Sequence, residues 1–282
     1  MLVTLKEILN LAEAKKCAVG SFNTPNLESA IAVIHTAEKL NQPVILMHAE
    51  IHETMTPLNI MGPIMLELAD KATVPVCVHL DHGVTLSYLK QALDLGFTSI
   101  MYDGSALPYQ ENVANTIIAV EMASQTGASV EAEIGVIGRP ELSEANDNAE
   151  DDAVYTEPDD AKQFSETTGI DALACAFGTA HGIYLKKPKL DFERVKKIHS
   201  IVSIPLVMHG GSGVSSEDYR RAIQAGIRKI NYYTYMAKAG GEGVRNKINP
   251  KEAITFYHDI VTWGTQAMED NVEAAIRIFM NT

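Results

Sequence analysis

Short apolar runs alternate along the chain with longer segments whose apolar residues recur every three to four positions. The runs fall at 18–22, 43–47, 74–80, 99–102, 129–134, 172–177, 204–208 and 229–232. Amphipathic stretches lie between several of them, at 27–40, 86–95, 110–126, 159–168, 192–201 and 217–225. Strand-length runs separated by helix-length segments are the signature of a parallel sheet with crossover helices. Eight such runs is the number that a closed (β/α)8 (TIM) barrel requires. The residues after Pro250 read as one or two extra C-terminal helices closing the fold.

Length and charge narrow the picture. At 282 residues and 46% hydrophobic, the chain suits one α/β barrel catalytic domain over residues 1–282 better than two ordinary domains. A formal net charge of −13 argues against a nucleic-acid partner or an anionic membrane surface, since either needs a cationic face. A phosphorylated small molecule is still compatible with an acidic chain, provided that backbone N–H groups and a metal act locally. The first sixteen residues, MLVTLKEILNLAEAKK, interleave charges with apolar positions and so lack the apolar block of a signal peptide. No run of about 18 apolar residues suggests a membrane span. Cys17, Cys77 and Cys175 are odd in number and form no C-x-x-C pair, which reads as buried free thiols in a reducing cytoplasm.

One segment departs from the βα rhythm. Residues 135–156 are long, acidic and poor in apolar side chains, with Glu141, Glu144, Asp147, Glu150, Asp151 and Asp152. A connection of that length inside a compact domain reads as a mobile lid, or else as a solvated surface excursion.

In a barrel of this kind, catalytic side chains project from the C-terminal ends of the strands. Three runs end in histidine beside glycine: Asp81-His82-Gly83, Gly178-Thr179-Ala180-His181-Gly182 and His209-Gly210-Gly211-Ser212-Gly213. Three imidazoles meeting above the barrel axis would leave one position of a tetrahedral zinc open for chemistry. The other six histidines (His35, His48, His52, His79, His199 and His258) read as core or surface residues. His48 is the one further candidate for the site, and by strand alternation His79 points opposite to His82. Asp81 reads either as a carboxylate that orients an imidazole or as a proton shuttle. The glycine-rich Gly210-Gly211-Ser212-Gly213 precedes a helix starting near Ser215, so free N–H groups and a helix N-terminus face an anion. Together with Asn231-Tyr232-Tyr233-Thr234, it lies where many barrels hold phosphate, on the loops after strands 7 and 8.

With these residues in view, the sequence resembles the class II, metal-dependent fructose-/tagatose-bisphosphate aldolases, and within them the shorter tagatose-type branch. The resemblance spans nearly the whole chain. Its marks are Gly20-Ser21-Phe22-Asn23, His79-Leu80-Asp81-His82-Gly83, Val130-Glu131-Ala132-Glu133-Ile134-Gly135, Gly178-Thr179-Ala180-His181-Gly182-Ile183-Tyr184, Pro188-Lys189-Leu190-Asp191-Phe192 and His209-Gly210-Gly211-Ser212-Gly213. It implies zinc on His82, His181 and His209, with Glu133 near the metal as a transient ligand. It implies that Asp81 moves the proton of the C4 hydroxyl and that Glu141, in the lid, removes a proton from the donor carbon. It places the donor phosphate on Gly182, Gly210, Gly211, Ser212, Asn231, Tyr232, Tyr233 and Thr234, with Lys186 close by and Asn23 touching substrate. It further implies a monovalent cation (Na+ or K+) near the phosphate and a homodimer or homotetramer. The expected activity is reversible aldol cleavage of a ketose (bis)phosphate into dihydroxyacetone phosphate, or a similar donor, and an aldehyde.

Two segments depart from the family pattern. A Gly-Gly pair reads Gly138-Arg139 here and the acidic pair after it reads Pro140-Glu141-Leu142; the motif Asn-Val-x-Thr-Asp/Glu reads Asn231-Tyr232-Tyr233-Thr234-Tyr235. Arginine restricts positive φ at the lid, and three tyrosines add bulk and hydroxyls beside the expected phosphate pocket. Either they repack behind the strand or substrate choice differs from fructose and tagatose bisphosphates. The competing readings are three. A Schiff-base aldolase would need a lysine at the active end of a strand, whereas Lys229 stands at a strand start. A metal hydrolase or epimerase would not use the phosphate loops. A catalytically weakened sugar-phosphate-binding paralogue would not need Asp81 beside three histidines.

Overall fold

All eight apolar runs become parallel strands, and the strands close on themselves in sequence order. A computed structural model describes residues 1–137, 155–184, 186–248 and 255–281. The strands are β1 (Val19–Asn23), β2 (Val44–Ala49), β3 (Val76–Gly83), β4 (Ser99–Tyr102), β5 (Ser129–Ile134), β6 (Ala172–Cys175), β7 (Leu206–Met208) and β8 (Ile227–Tyr232). Around them run α1 (Leu5–Lys15), α2 (Leu27–Leu40), α3 (Leu58–Lys71), α4 (Leu86–Leu95), α5 (Tyr109–Ser124), α6 (Pro158–Thr168), α7 (Phe192–Ile201), α8 (Ser216–Ala225), α9 (Thr234–Lys247) and α10 (Tyr257–Phe279). The chain is a (β/α)8 barrel with extra C-terminal helices.

Local chemistry sets the helix starts. Thr4 and Glu7 form a capping box at α1, and Asn26 with Ser29 does the same at α2. Asp191 caps α7 by accepting from Arg194 N–H, and Ser215 caps α8 by accepting from Asp218 N–H. Two helices escaped the sequence pattern. In α3 the Gly62-Pro63 pair sits inside the helix and breaks the expected periodicity. The extra helices were expected only after Pro250, yet α9 lies ahead of it. Its Gly240, Gly241 and Gly243 lower helix propensity, but they let α10 approach: a Cβ on Gly240 would stand 3.0 Å from Met268, and one on Gly243 would collide with Ala267.

Register carries the site. In parallel pairs, opposite residues share a face, so Ala49 beside Asp81 and Ser21 beside Asn231 line the barrel interior together. β3 runs on through Asp81, His82 and Gly83, with an irregular pairing to β4 between Leu80 and Gly83. His82 there adopts φ 45°, a left-handed conformation that re-aims its side chain after the strand's alternation has ended. Cys17, Cys77 and Cys175 are buried free thiols, and burial pushes Cys77 and Cys175 each up to about 12. Among the described residues, no helix is long and apolar enough to cross a membrane.

Candidate active site

Asp81 lies at the inner end of β3 and is 1% exposed. Asn23 Nδ2, from β1, donates to its Oδ2 at 3.0 Å; Asn231 Nδ2, from β8, donates to its Oδ1 at 3.0 Å. Burial alone would raise its pKa. The positive charge of His82, and of Lys229 beneath it, outweighs burial and holds the carboxyl well below the usual range. Asp81 is therefore a fixed, ionised acceptor.

The three glycine-flanked histidines do meet. His82 and His209 approach at 3.0 Å between Nε2 and Nδ1. The His181 ring stands 5.1 Å from that of His82 and 6.1 Å from that of His209, centre to centre. One nitrogen from each of the three lies within 4.8 Å of the others. Carboxylates back two of the rings: Asp103, just past β4, meets His82 Nδ1 at 2.6 Å, and Glu131, on β5, meets His209 Nε2 at 2.8 Å. Such partners fix a ring and turn its other nitrogen toward a metal. The donor set fits a metal ion that takes imidazole nitrogen.

Electrostatics at the cluster are strongly divided. For His82, burial opposes the charged form, but Asp81, the bond to Asp103 and the field of Glu133 raise its pKa to about 9. For His209 burial dominates and lowers it. Glu133 is pushed well above the carboxylate range, first by burial and then by Asp103; its Oε2 lies 3.4 Å from His209 Nδ1. Among the described residues, a second group that could hold a metal comprises His82, Asp103 and Glu133.

Under the histidines runs a buried polar floor. Lys229 Nζ donates to Asn231 Oδ1 at 2.7 Å and contacts both oxygens of Glu131, at 3.2 and 2.9 Å. Lys229 and Glu131 are each 0% exposed. Burial would raise the Glu131 pKa, but Lys229 and its bond to His209 hold it at about 2. His79 Nδ1 meets Ser99 Oγ at 2.7 Å, and its Nε2 lies 3.8 Å from Glu131. One ammonium thus reaches Asp81 through Asn231 and His209 through Glu131. As its place in the sequence suggests, Lys229 is committed to structure rather than poised as an amine nucleophile.

Above the histidines the site is built from backbone. Gly178, Gly182, Gly210 and Gly213 all take positive φ (107°, 92°, 61° and 84°). A Cβ on Gly210 would stand 2.5 Å from Ala180 O, and one on Gly211 would stand 2.6 Å from Asn231 O. The Tyr184 hydroxyl accepts from Ala180 N–H at 2.8 Å and donates to Gly210 O at 2.9 Å. It therefore bridges the residue before His181 to the residue after His209. Ser212 Oγ accepts from Tyr233 N–H at 2.9 Å and ties this loop to the start of α9, where Thr234 is the first residue. Lys186 and Lys187 line a cavity of about 350 Å³ with Tyr184, Gly213, Ser215 and Tyr235.

The tyrosines divide. Tyr232 is 7% exposed and sets its ring against Phe22 and Phe279 in the core, which is the repacking alternative and turns that side chain away from any phosphate. Tyr233 instead packs on His52 at 5.3 Å, at the rim beside β2. His48 turns outward, to the Tyr88 hydroxyl at 3.2 Å, and is not part of the cluster. Glu141 and Arg139 lie outside the described residues, as does most of the acidic segment. Its returning end is anchored: Thr156 Oγ1 donates to Ile134 O at 2.6 Å and accepts from Ala176 N–H at 2.8 Å.

Sequence reading missed Asp103, Glu131 and Lys229 as parts of the site. A signal for two of them exists. His79/Asp81, Glu131/Glu133 and Lys229/Asn231 are polar pairs at i and i+2 in otherwise apolar strands, so each pair shares the inner face.

Comparison with known proteins agrees with this arrangement. The family model described as fructose-bisphosphate aldolase class-II matches residues 3–282. The 6-phospho-5-dehydro-2-deoxy-D-gluconate aldolase of Halalkalibacterium halodurans is 38% identical over 286 residues, covering 100% of this chain and 97% of that protein. The fructose-bisphosphate aldolase of Staphylococcus aureus is 37% identical over 283 residues, covering 99% and 97%. The crystal structure of the YdjI aldolase from Escherichia coli K12 superposes with a TM-score of 0.88 at 34% identity, covering 99% of this chain and 97% of that one.

Proposed function

The chain belongs to the class-II fructose-bisphosphate aldolase family, and from that premise we propose that it performs zinc-dependent, reversible retro-aldol cleavage of a ketose phosphate. The products are dihydroxyacetone phosphate, or a similar donor, and an aldehyde. The observation that carries the reading is the placement of an ionised, doubly amide-bonded Asp81 beside three imidazole nitrogens that lie within 4.8 Å of one another.

His82, His181 and His209 would hold the zinc, with Glu133 as the further ligand when it shifts. Bound there, zinc supplies Lewis-acid stabilisation of the negative charge that develops on the donor half, worth several kcal/mol. Asp81 accepts the proton of the hydroxyl on the carbon that becomes the aldehyde. As the carbon–carbon bond breaks, that carbon becomes a carbonyl and the bonding pair passes to the donor half. In condensation the same proton returns to the aldehyde oxygen. Asn23 and Asn231 hold the two carboxylate oxygens, so that one orientation presents the remaining lone pairs to substrate. Glu141 exchanges the proton on the donor carbon. The donor phosphate rests on the N–H groups of Gly182, Gly210, Gly211 and Ser212 and on the start of α9, with Lys186 alongside.

Chelation is expected to abolish turnover and added zinc to restore it. Asp81→Ala is expected to retain zinc while cutting kcat by about 10²–10⁴-fold, the usual weight of a positioned proton carrier. The reading is lost if activity survives chelation, or if the Asp81→Ala protein turns over normally.

A further inference from the structure

The mouth of the barrel has two unlike sides. Past β6 the chain carries Lys186, Lys187 and Lys189 beside the glycine loops. Opposite, residues 24–28 after β1 and 50–57 after β2 contain Glu28, Glu50, His52 and Glu53 but neither lysine nor arginine. Glu50 accepts from Val84 N–H at 2.7 Å and from Thr85, and Glu53 accepts from Leu58 N–H at 2.8 Å and from the Tyr88 hydroxyl at 2.7 Å. These bonds pin the short 3-10 helix Glu50–Thr54 and leave two negative charges at that rim.

Neutral polar atoms await partners there. Asn23 spends its Nδ2 on Asp81, while its Oδ1 is buried with no hydrogen-bond partner. His52 is 7% exposed, packs on the Tyr233 ring, and has Nδ1 buried with no partner. Burial lowers its pKa and keeps the ring uncharged. Ala49, level with Asp81 on the inner face, has only a methyl and leaves room between the two strand ends. Tyr233 also borders a cavity of about 280 Å³ shared with Pro25, Asn26, Met55 and Met236; among the described residues, the one charged side chain lining it is Glu28. Lys238, the first cation on α9, is engaged with Glu242 at 2.7 Å and lies over the Tyr235 ring.

We propose that this side receives the aldehyde half of the substrate as an unphosphorylated, hydroxyl-bearing chain, with Asn23 Oδ1 and His52 as its recognition groups. The substrate then carries one phosphate, at the donor end only. The inference rests on the aldolase reading above and deepens it. Among the described residues, a phosphate dianion placed here would meet neutral groups and carboxylates instead of cations or clustered N–H donors, and its desolvation would go uncompensated. Hydroxyl groups, by contrast, can both donate and accept, and so can satisfy Asn23 Oδ1 and His52 Nδ1 alike. The relatives themselves divide on this point, since one printed name is a single phospho compound and the others are bisphosphates.

The test is condensation by the zinc-loaded enzyme of dihydroxyacetone phosphate with glyceraldehyde, in each enantiomer, against glyceraldehyde 3-phosphate. The expected result is a kcat/KM about tenfold or more in favour of glyceraldehyde, the scale of discrimination that a few pocket contacts supply. His52→Arg, which adds a cation at that rim, is expected to move the ratio about tenfold toward the phosphorylated aldehyde. Equal or better use of glyceraldehyde 3-phosphate by the unaltered enzyme overturns the inference and leaves the aldolase reading standing. A ratio unmoved by His52→Arg overturns the place given to His52. Condensation with neither aldehyde removes the aldolase reading, and this inference with it.

Discussion

Below the three histidines, β3, β5 and β8 each contribute two polar side chains, and a single ammonium joins them: Lys229 reaches Asp81 through Asn231 and His209 through Glu131. Above, the turns around His181 and after His209 hold their shape through positive-φ glycines and one tyrosine hydroxyl. Both regions position the same three imidazoles, yet by different physics. In the floor each charge is stable only while its counter-charge remains, because burial in a low dielectric penalises a lone ion more than the pair gains. In the glycine turns no buried ion pair is at stake, and tolerance is set by whether an added atom has space.

The largest expected effect follows from the floor. Lys229→Met leaves the Glu131 carboxylate buried without its cation and should cost about 3–5 kcal/mol of stability in urea unfolding. Adding Glu131→Gln to that variant removes the stranded charge and should recover most of the loss, since glutamine Oε1 still accepts from His209. A single Lys229→Met change that unfolds at the wild-type midpoint would remove the contrast. The loops are probed by Gly210→Ala, whose methyl meets Ala180 O at φ 61°. It should cost about 1–3 kcal/mol of local strain, read as zinc loss to a chelator at a lower concentration than wild type. The smallest effect sharpens the comparison. Tyr184→Phe keeps the ring and deletes only the bridge between the His181 and His209 loops, and should weaken zinc binding by about tenfold with little change in unfolding. Tyr219→Phe is its control, because that hydroxyl donates from α8 to Gly211 O in the loop just before it and joins no second loop. Equal zinc affinity in the two variants would show that the bridge does not set the spacing of the histidines.

Much of this was legible in the sequence. The eight runs gave the barrel because apolar periodicity is local and β-strand and helix periods differ. His82, His181 and His209 were legible because strand ends and glycines mark the active face of such a barrel. α9 was not, since its three glycines argue locally against a helix that packing on α10 requires. Tyr232 and Tyr233, adjacent and chemically alike, could not be separated by reading: strand alternation and the turn into α9 send one to the Phe22–Phe279 core and the other to His52. Lys229 was legible as unsuited to Schiff-base chemistry, but not as the tie between Asp81 and His209.

The sequence by itself determined the strand count, the three histidines and Asp81, since each depends on residue type and on position within a repeating βα unit. Tertiary structure alone decided the rest. It put Asp103 behind His82, joined Lys229 to Glu131, 98 positions away, and set an acidic rim opposite a lysine-bearing one. Those relations depend on barrel closure and register, which bring distant strands to one face, and no local pattern encodes which side chains will then share a buried charge.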